Sequence, residues 1–156
     1  MGFELDNSFE SGVDDWSGRG SASVTTNSKN YYDGAKSLYV SGRESEWNGA
    51  SLVLDSDTFS AGGTYSFSAA ILQTSGAEVT IQMSLQQGEG DSATYTHIAD
   101  SSAKSGEWTK LENTEFTIPS NAGDMVFYVE TIQGSGDLCD FYLDAVQVSE
   151  SGKASS

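Results

Sequence analysis

The chain has 156 residues and a mass of 16.5 kDa, the size of a single domain. Seven basic and 23 acidic residues give a formal net charge of −16, which argues against nucleic acid and anionic membrane surfaces as partners. A hydrophobic fraction of 37% with 11% aromatic residues predicts a folded core rather than disorder. Cys139 is the only cysteine, so no disulfide can form within the chain, and we predict a buried, inert thiol.

Alternation of apolar and polar residues recurs along the chain and predicts β-strands. In chain order, the seven predicted strands are residues 37–40, 50–54, 64–72, 79–86, 94–98, 125–130 and 141–148. Glycine-rich turn signals separate them, and no segment shows a helical period. Short strands at near-regular spacing predict an all-β sandwich or barrel. We place the domain at residues 1–149 and interpret the small, polar residues 150–156 as a linker stub.

One predicted strand has an uncharged polar face. Residues Thr80, Gln82, Ser84 and Gln86 alternate with apolar neighbours. In the strand at 125–130, Tyr128 and Glu130 share one face, and we expect them on the same polar side of the sheet. Such a face is most often simply solvated. Its amides and hydroxyls also match a neutral polyhydroxylated ligand, because they donate and accept hydrogen bonds.

Catalytic signatures are weak in this sequence. His97 is the single histidine, it lies in a strand-like stretch, and no nucleophile-elbow sequence accompanies it. We therefore interpret His97 as a structural or surface residue. One histidine and one cysteine do not suffice for a zinc site. Among 23 acidic residues a pair suited to glycoside hydrolysis could exist, but composition alone singles out none.

The three tryptophans divide by context. Trp16 and Trp108 lie next to strand or turn patterns and are predicted to be core residues. Trp47 lies in the polar, turn-like segment 46–49, where a core position and an exposed platform are equally consistent with the sequence. An exposed ring on a rigid sheet can stack on the apolar face of a sugar.

Acidic residues near the two ends of the chain suggest a calcium site. Glu10 and Asp144 would meet if the terminal strands are neighbours, and the turn at residues 32–36 would add backbone carbonyl oxygens. Calcium takes six to eight oxygen ligands, often including backbone carbonyls. From the residues alone, solvated carboxylates remain the commoner interpretation.

Six landmarks follow one another in a fixed order: Phe9–Glu10, then residues 16–20, 34–40, 41–50, 128–130 and 141–144. Together they resemble the xylan-binding carbohydrate-binding modules of family 22, over roughly Phe3 to Val148. The resemblance implies a β-sandwich jelly roll of two antiparallel sheets with a concave ligand-binding face. It implies ligand-binding positions at Arg19, Trp47, Asn48, Tyr95, Tyr128 and Glu130. Gln82 and Gln86 join this set through the polar-face argument.

The resemblance also implies a structural calcium ion, with matching positions at Glu10, Asp33, Lys36 and Asp144. It implies a noncatalytic module that binds β-1,4-xylan and xylo-oligosaccharides, with mixed-linkage β-glucan as a second candidate ligand. The expected setting is a monomeric module fused to the catalytic domain of a secreted bacterial xylanase that degrades plant cell wall outside the cell. Two alternatives stay open: a jelly-roll glycoside hydrolase, which needs a second carboxylate beside Glu130, and a calcium-stabilised protein-binding domain.

Overall fold

A computed structural model describes residues 5–10, 12–32, 34–55, 58–88, 90–120, 123–132, 136 and 138–150. The strands are β1 Leu5–Asn7, β2 Ser17–Arg19, β3 Ser23–Asn27, β4 Ser37–Ser41, β5 Gly49–Leu54, β6 Thr64–Gln73, β7 Val79–Gln87, β8 Thr94–Ala103, β9 Thr109–Thr117, β10 Met125–Thr131 and β11 Phe141–Glu150. A short 3₁₀ turn covers Gly90–Ser92. Within the described residues, no helix has the length and apolar character needed to cross a membrane.

The strands form two antiparallel sheets. The six-stranded sheet has the order β3-β4-β11-β6-β9, with β1 also paired to β11. The five-stranded sheet has the order β2-β5-β10-β7-β8. The predicted all-β sandwich of two antiparallel sheets is therefore confirmed. Pairing of β1 with β11 brings the first and last described strands together.

Aromatic side chains fill the space between the sheets. Phe67 of β6 and Phe127 of β10 are fully buried and pack edge to face, with ring centroids 5.2 Å apart. Trp16 packs against Phe127 at 5.6 Å, and its indole N–H donates to the Asn7 side chain. Trp16 is thus a core residue, as its sequence context predicted. Because Phe127 lies on the core side of β10, the alternate side chains of that strand face outward.

All seven predicted strands are present, with small shifts at their ends. The largest difference is β8, which continues to Ala103, five residues past the predicted end. Strands β1, β2, β3 and β9 were not predicted. The first two have three residues each, too few to show a period. The pairing of β9 with β6 contains a register shift, which interrupts its alternation.

Two residues that were predicted to be buried are partly exposed. Trp108 is only partly buried and lies outside the core, where it contacts the exposed Tyr32 with ring centroids 5.8 Å apart. Cys139 is also partly exposed rather than buried. The proposed boundary before residue 150 stays a prediction. Strand β11 includes Glu150, and residues 151–156 lie outside the described part of the chain.

Candidate functional site

An open cleft of about 780 Å³ lies on the outer face of the five-stranded sheet. Its floor and walls combine aromatic rings with amides, hydroxyls and charged groups. The lining residues are Arg19, Gly20, Trp47, Gln82, Ser84, Gln86, Tyr95, Thr96, His97, Tyr128 and Glu130. Seven of the eight residues that were proposed from the sequence as ligand contacts are in this set.

Strand alternation and register bring the polar floor together. On β10, Tyr128 and Glu130 point into the cleft, because the residues between and before them face the core. Glu130 pairs with Gln82 on the neighbouring β7. One strand further, Gln86 pairs with Tyr95 at the rim, where the Tyr95 side chain is 61% exposed. The expectation that Tyr128 and Glu130 share a side with the β7 glutamines is confirmed.

Trp47 stands at the cleft on a tight turn that precedes β5. The backbone N–H of Asn48 donates to the Ser45 carbonyl at 3.0 Å, so Glu46 and Trp47 occupy the two central positions of the turn. The Trp47 side chain is 45% exposed. The sequence left a core position and a platform open for Trp47, and the structure places it as an exposed platform.

The buried Arg43 holds the Trp47 turn in place. Its guanidinium donates to the Asn48 carbonyl at 2.7 Å and to the Glu46 carbonyl at 2.8 Å, on either side of Trp47. It also donates to the Cys139 carbonyl and to the Thr131 hydroxyl. Arg43 therefore ties the turn to the end of β10 and to the segment before β11. This role could not be identified from the sequence, because it depends on contacts between residues up to 96 positions apart.

Asn48 differs from its sequence-based assignment as a ligand contact. Its side chain is 2% exposed and lies beneath the turn rather than in the cleft lining. Its Oδ1 atom accepts hydrogen bonds from the Glu44 and Ser45 backbone amides and from the Ser21 hydroxyl. These contacts make Asn48 a support of the Trp47 turn. Its position next to Trp47 in the sequence could not show whether Asn48 contacts the ligand or holds the turn in place.

Arg19 and Gly20 form the wall beside Trp47. The Arg19 guanidinium carbon lies 4.0 Å from the centroid of the Tyr128 ring and 6.0 Å from that of Trp47. Gly20 has a φ of +69°, and an added Cβ would lie 2.8 Å from the Trp47 ring, so this position requires glycine. The buried Arg19 Nε has no hydrogen-bond partner among the described residues. Arg19 thus carries a buried donor that no described residue satisfies.

Glu130 is a buried carboxylate at the floor of the cleft. Its side chain is 4% exposed and accepts a hydrogen bond from the Gln82 amide at 2.8 Å. Burial raises the pKa of Glu130 above its ordinary value of 4.5, while the Gln82 hydrogen bond and the charges of Arg19 and Arg43 oppose that shift. The Glu130 carboxylate is therefore a strong hydrogen-bond acceptor whose burial as a charged group costs stability.

The Glu130→Gln substitution is expected to raise the free energy of unfolding at neutral pH. Because the folded-state pKa of Glu130 is raised, its contribution to stability is greatest below pH 4.5 and declines as the pH rises through the folded-state value. Glutamine does not titrate, so the advantage of the variant over wild type should be larger at pH 7 than at pH 4. Urea unfolding of both proteins at the two pH values measures this difference. An equal difference at both pH values would contradict the raised pKa.

The same substitution is expected to weaken ligand binding, about tenfold or more, because hydrogen bonds to charged groups are the stronger class. Stability and binding should therefore change in opposite directions at neutral pH. A variant that is both more stable and equally tight in binding would show that Glu130 does not contact the ligand.

Glu10 and Asp144 both contact the segment between β3 and β4. The Glu10 carboxylate accepts the backbone amides of Ala35 and Lys36, each at 2.9 Å. Asp144, which is fully buried, accepts the Tyr32 amide at 2.9 Å. Asp33, the other predicted calcium position, lies outside the described residues. Among the described residues no three Asp, Glu, His or Cys side chains converge, so an ion here would also need backbone oxygens.

The described residues that line the cleft do not include the pair of carboxylates that hydrolysis of a glycosidic bond requires. Among the described residues that line it, Glu130 is the only carboxylate. Ser84, His97, Thr96 and Gly20 line the cleft without having been proposed as contacts. His97 could have been found from the alternation that places residues i and i+2 of a strand on one face, starting from Tyr95.

Comparisons with known proteins agree with this geometry. A protein-family profile described as a carbohydrate binding domain matches residues 5–136. A solved xylan-binding domain from carbohydrate-binding module family 22 superposes with a TM-score of 0.90 at 35% identity, over 97% of both chains. The chain belongs to carbohydrate-binding module family 22. The C-terminal family 22 module of Clostridium thermocellum Xyn10B gives the same score and identity, over 97% of this chain and 96% of that one.

The curated relatives of this module are much longer proteins. A xylanase/beta-glucanase of Ruminococcus flavefaciens is 42% identical over 97% of this chain, and endo-1,4-beta-xylanase Y of Acetivibrio thermocellus is 37% identical over 92%. The chain spans 18% of the first protein and 13% of the second. Family membership makes this chain a noncatalytic carbohydrate-binding module that is similar to modules of bacterial xylanases.

Proposed function

We propose that this module binds β-1,4-xylan and xylo-oligosaccharides in the cleft of the five-stranded sheet. The observation that carries the proposal is the pairing of an exposed Trp47 with Arg19 and the Glu130–Gln82 pair in one open groove. The ring offers an apolar stacking surface, and the floor offers donors and acceptors for hydroxyl groups. A solved relative described as a xylan-binding domain, at 35% identity, supports the choice of xylan.

The openness of the groove sets the expected affinity. An open cleft covers only part of a sugar chain, so we expect dissociation constants from micromolar to near-millimolar, about −8 to −4 kcal/mol. Mixed-linkage β-glucan is the second candidate ligand, supported by a relative that is described as a xylanase/beta-glucanase. Cleft residues that contact neutral hydroxyls do not by themselves separate the two glycans.

Weak binding by the module is sufficient for function if the module is fused to a catalytic domain. Relatives in which this segment is less than a fifth of the chain support an arrangement in which the module accompanies a xylanase domain. A tethered module raises the effective concentration of the enzyme at its polymer. Because plant cell wall is outside the cell, the proposal places the whole protein in the extracellular space.

Affinity electrophoresis tests the ligand. Native gels are cast with soluble xylan, mixed-linkage β-glucan or hydroxyethylcellulose, and migration is compared with a gel that contains no polysaccharide. The proposal predicts clear retardation by xylan. Equal migration in the xylan gel and the empty gel would overturn it, and retardation only by β-glucan would replace the ligand.

We also propose that a structural calcium ion is held by Glu10, Asp144 and carbonyl oxygens of the turn that includes Asp33 and Lys36. Two contacts support it: both described carboxylates lie against this one segment, and an added Cβ at Gly34 would fall 2.7 Å from the Glu10 carboxylate. Hard carboxylate and carbonyl oxygens are the donors that calcium prefers. The ion would join the two ends of the chain and the β3–β4 connection.

Removal of calcium with EGTA is therefore expected to lower the midpoint of thermal unfolding. At a calcium concentration 100 times the dissociation constant, linkage adds about 2.7 kcal/mol of stability. The midpoint should rise with added calcium in wild type and much less in the Glu10→Gln variant. Identical midpoints in EGTA and in calcium would contradict the site.

A further inference from the structure

A β-bulge in β8 places on one face two side chains, His97 and Asp100, that a regular strand would separate. Between the Gln82–Asp100 pair and the Ser84–His97 pair, β7 advances by two residues and β8 by three. Residues i and i+3 of a regular strand face opposite sides. The extra residue, Ile98, points into the core and lets His97 and Asp100 share the outer face.

The bulge completes a series of polar contacts between side chains, from the rim of the cleft to its floor. The His97 Nε2 atom lies 3.0 Å from an Asp100 carboxylate oxygen. The other ring nitrogen, Nδ1, lies 3.1 Å from Gln82 Oε1. The Gln82 amide nitrogen then donates to Glu130 at 2.8 Å. Four side chains from three neighbouring strands are connected in series.

Counting donors along this series of contacts shows which state of the histidine ring satisfies all of them. Ionised Asp100 and Glu130 can only accept hydrogen bonds. Gln82 presents its amide group to Glu130 and its carbonyl oxygen to His97. The ring then has an acceptor at each nitrogen, and only the doubly protonated imidazolium can donate from both.

The other charged and titratable groups around His97 do not interrupt this series of hydrogen-bonded side chains. Tyr95 shares its strand, and Tyr128 and Arg19 lie across the cleft. On the adjacent β9, Lys110 pairs with Glu112 at 3.6 Å. Asp100 and Glu130 remain the two carboxylates at the ends of the connected series.

We propose that His97 is a positioning residue of the cleft, whose doubly protonated ring holds the Gln82 amide in the orientation that donates to Glu130. This inference rests on the proposed function, because its consequence is tighter binding of a xylan chain. With Gln82 fixed, the Glu130 carboxylate keeps one orientation and offers its remaining lone pairs to a sugar hydroxyl. Loss of a ring proton removes one of the two donors, and the amide is no longer held.

Two variants separate the nitrogens of the ring. In His97→Asn the side-chain nitrogen occupies the place of Nδ1 and donates to Gln82 at every pH. In His97→Gln the nitrogen occupies the place of Nε2 and reaches Asp100 instead. Both variants retain Glu130, so any titration of that carboxyl is common to all three proteins.

The experiment is calorimetric titration with xylohexaose at pH 6 and pH 8, since histidine changes charge between about pH 5 and 8. We expect the wild-type affinity to fall about fivefold at pH 8, the effect of one net hydrogen bond. The affinity of His97→Asn should change less between the two pH values than that of wild type, and His97→Gln should bind more weakly than His97→Asn at both. The same fivefold fall in all three proteins, or no fall in wild type, would overturn the role of His97.

A measurement without ligand separates this inference from the proposed function. The side-chain amide resonances of Gln82 should shift further between pH 6 and pH 8 in wild type than in His97→Asn. Shifts with no xylohexaose binding would overturn the ligand and retain the positioning role. Constant resonances in wild type would overturn the positioning role whatever the module binds.

Discussion

Replacement of Trp47 by alanine is expected to remove detectable binding of xylan while the module stays folded. Trp47 is the large apolar surface of the cleft, and its exposed ring makes few contacts that the core requires. Central aromatic anchors of binding sites typically contribute about 2 kcal/mol or more, which is a loss of about 30-fold or more. For a dissociation constant in the weaker part of the expected range, a loss of about 30-fold leaves binding too weak to detect by affinity electrophoresis or by most calorimetric titrations.

Trp108 provides the matched control for this experiment. It is also a partly exposed tryptophan, but it packs on Tyr32 beside the other sheet. The Trp108→Ala variant should bind xylan as wild type does, although its stability will change. Equal losses of binding in the two variants would point to a general effect on folding, and unchanged binding in Trp47→Ala would remove Trp47 from the site.

Replacement of Arg43 by alanine is expected to have the largest effect on stability. Its guanidinium donates to three backbone carbonyls and to the Thr131 hydroxyl in a buried position. Buried acceptors left without partners cost about 1–3 kcal/mol each, so we expect a loss of about 3 kcal/mol or more in the free energy of unfolding. Denaturant unfolding at neutral pH measures it.

The affinity for xylan should fall in Arg43→Ala even though Arg43 does not line the cleft. Loss of the contacts at Glu46 and Asn48 frees the turn that carries Trp47. The Lys104→Ala variant removes an exposed cation and is the charge-matched control, with both properties expected to stay near wild type. If Arg43→Ala binds as tightly as wild type, then Arg43 does not position Trp47.

Period-two alternation was sufficient to predict an all-β sandwich or barrel and the polar floor of the cleft. Tyr128 and Glu130 face outward because Phe127 and Val129 are buried, and this follows from strand geometry alone. The resemblance added Arg19 and Tyr95, whose positions depend on which strands become neighbours. Pairing of β10 with β7, and of β7 with β8, then brings these residues to one surface.

Features that depend on long-range contacts could not be predicted in this way. Asn48 and Trp47 are adjacent in sequence, yet one supports the turn and the other faces the cleft. The role of Arg43 requires the position of the Cys139 carbonyl, 96 residues away. The placement of His97 and Asp100 on one face requires a β-bulge, which no residue type in this strand predicts. Burial of Trp108 was overestimated because its neighbours alone do not determine how deeply it packs.

The most direct test of the site is a map of amide chemical shifts during titration with xylohexaose. We expect the shifted resonances to belong to residues that line the cleft, chiefly around Trp47, Gln82, Tyr95 and Glu130. Residues on the outer face of the six-stranded sheet, such as Tyr39 and Tyr142, should not shift. Shifts centred on those two tyrosines, with the cleft unchanged, would contradict the assignment of the glycan site to the five-stranded sheet.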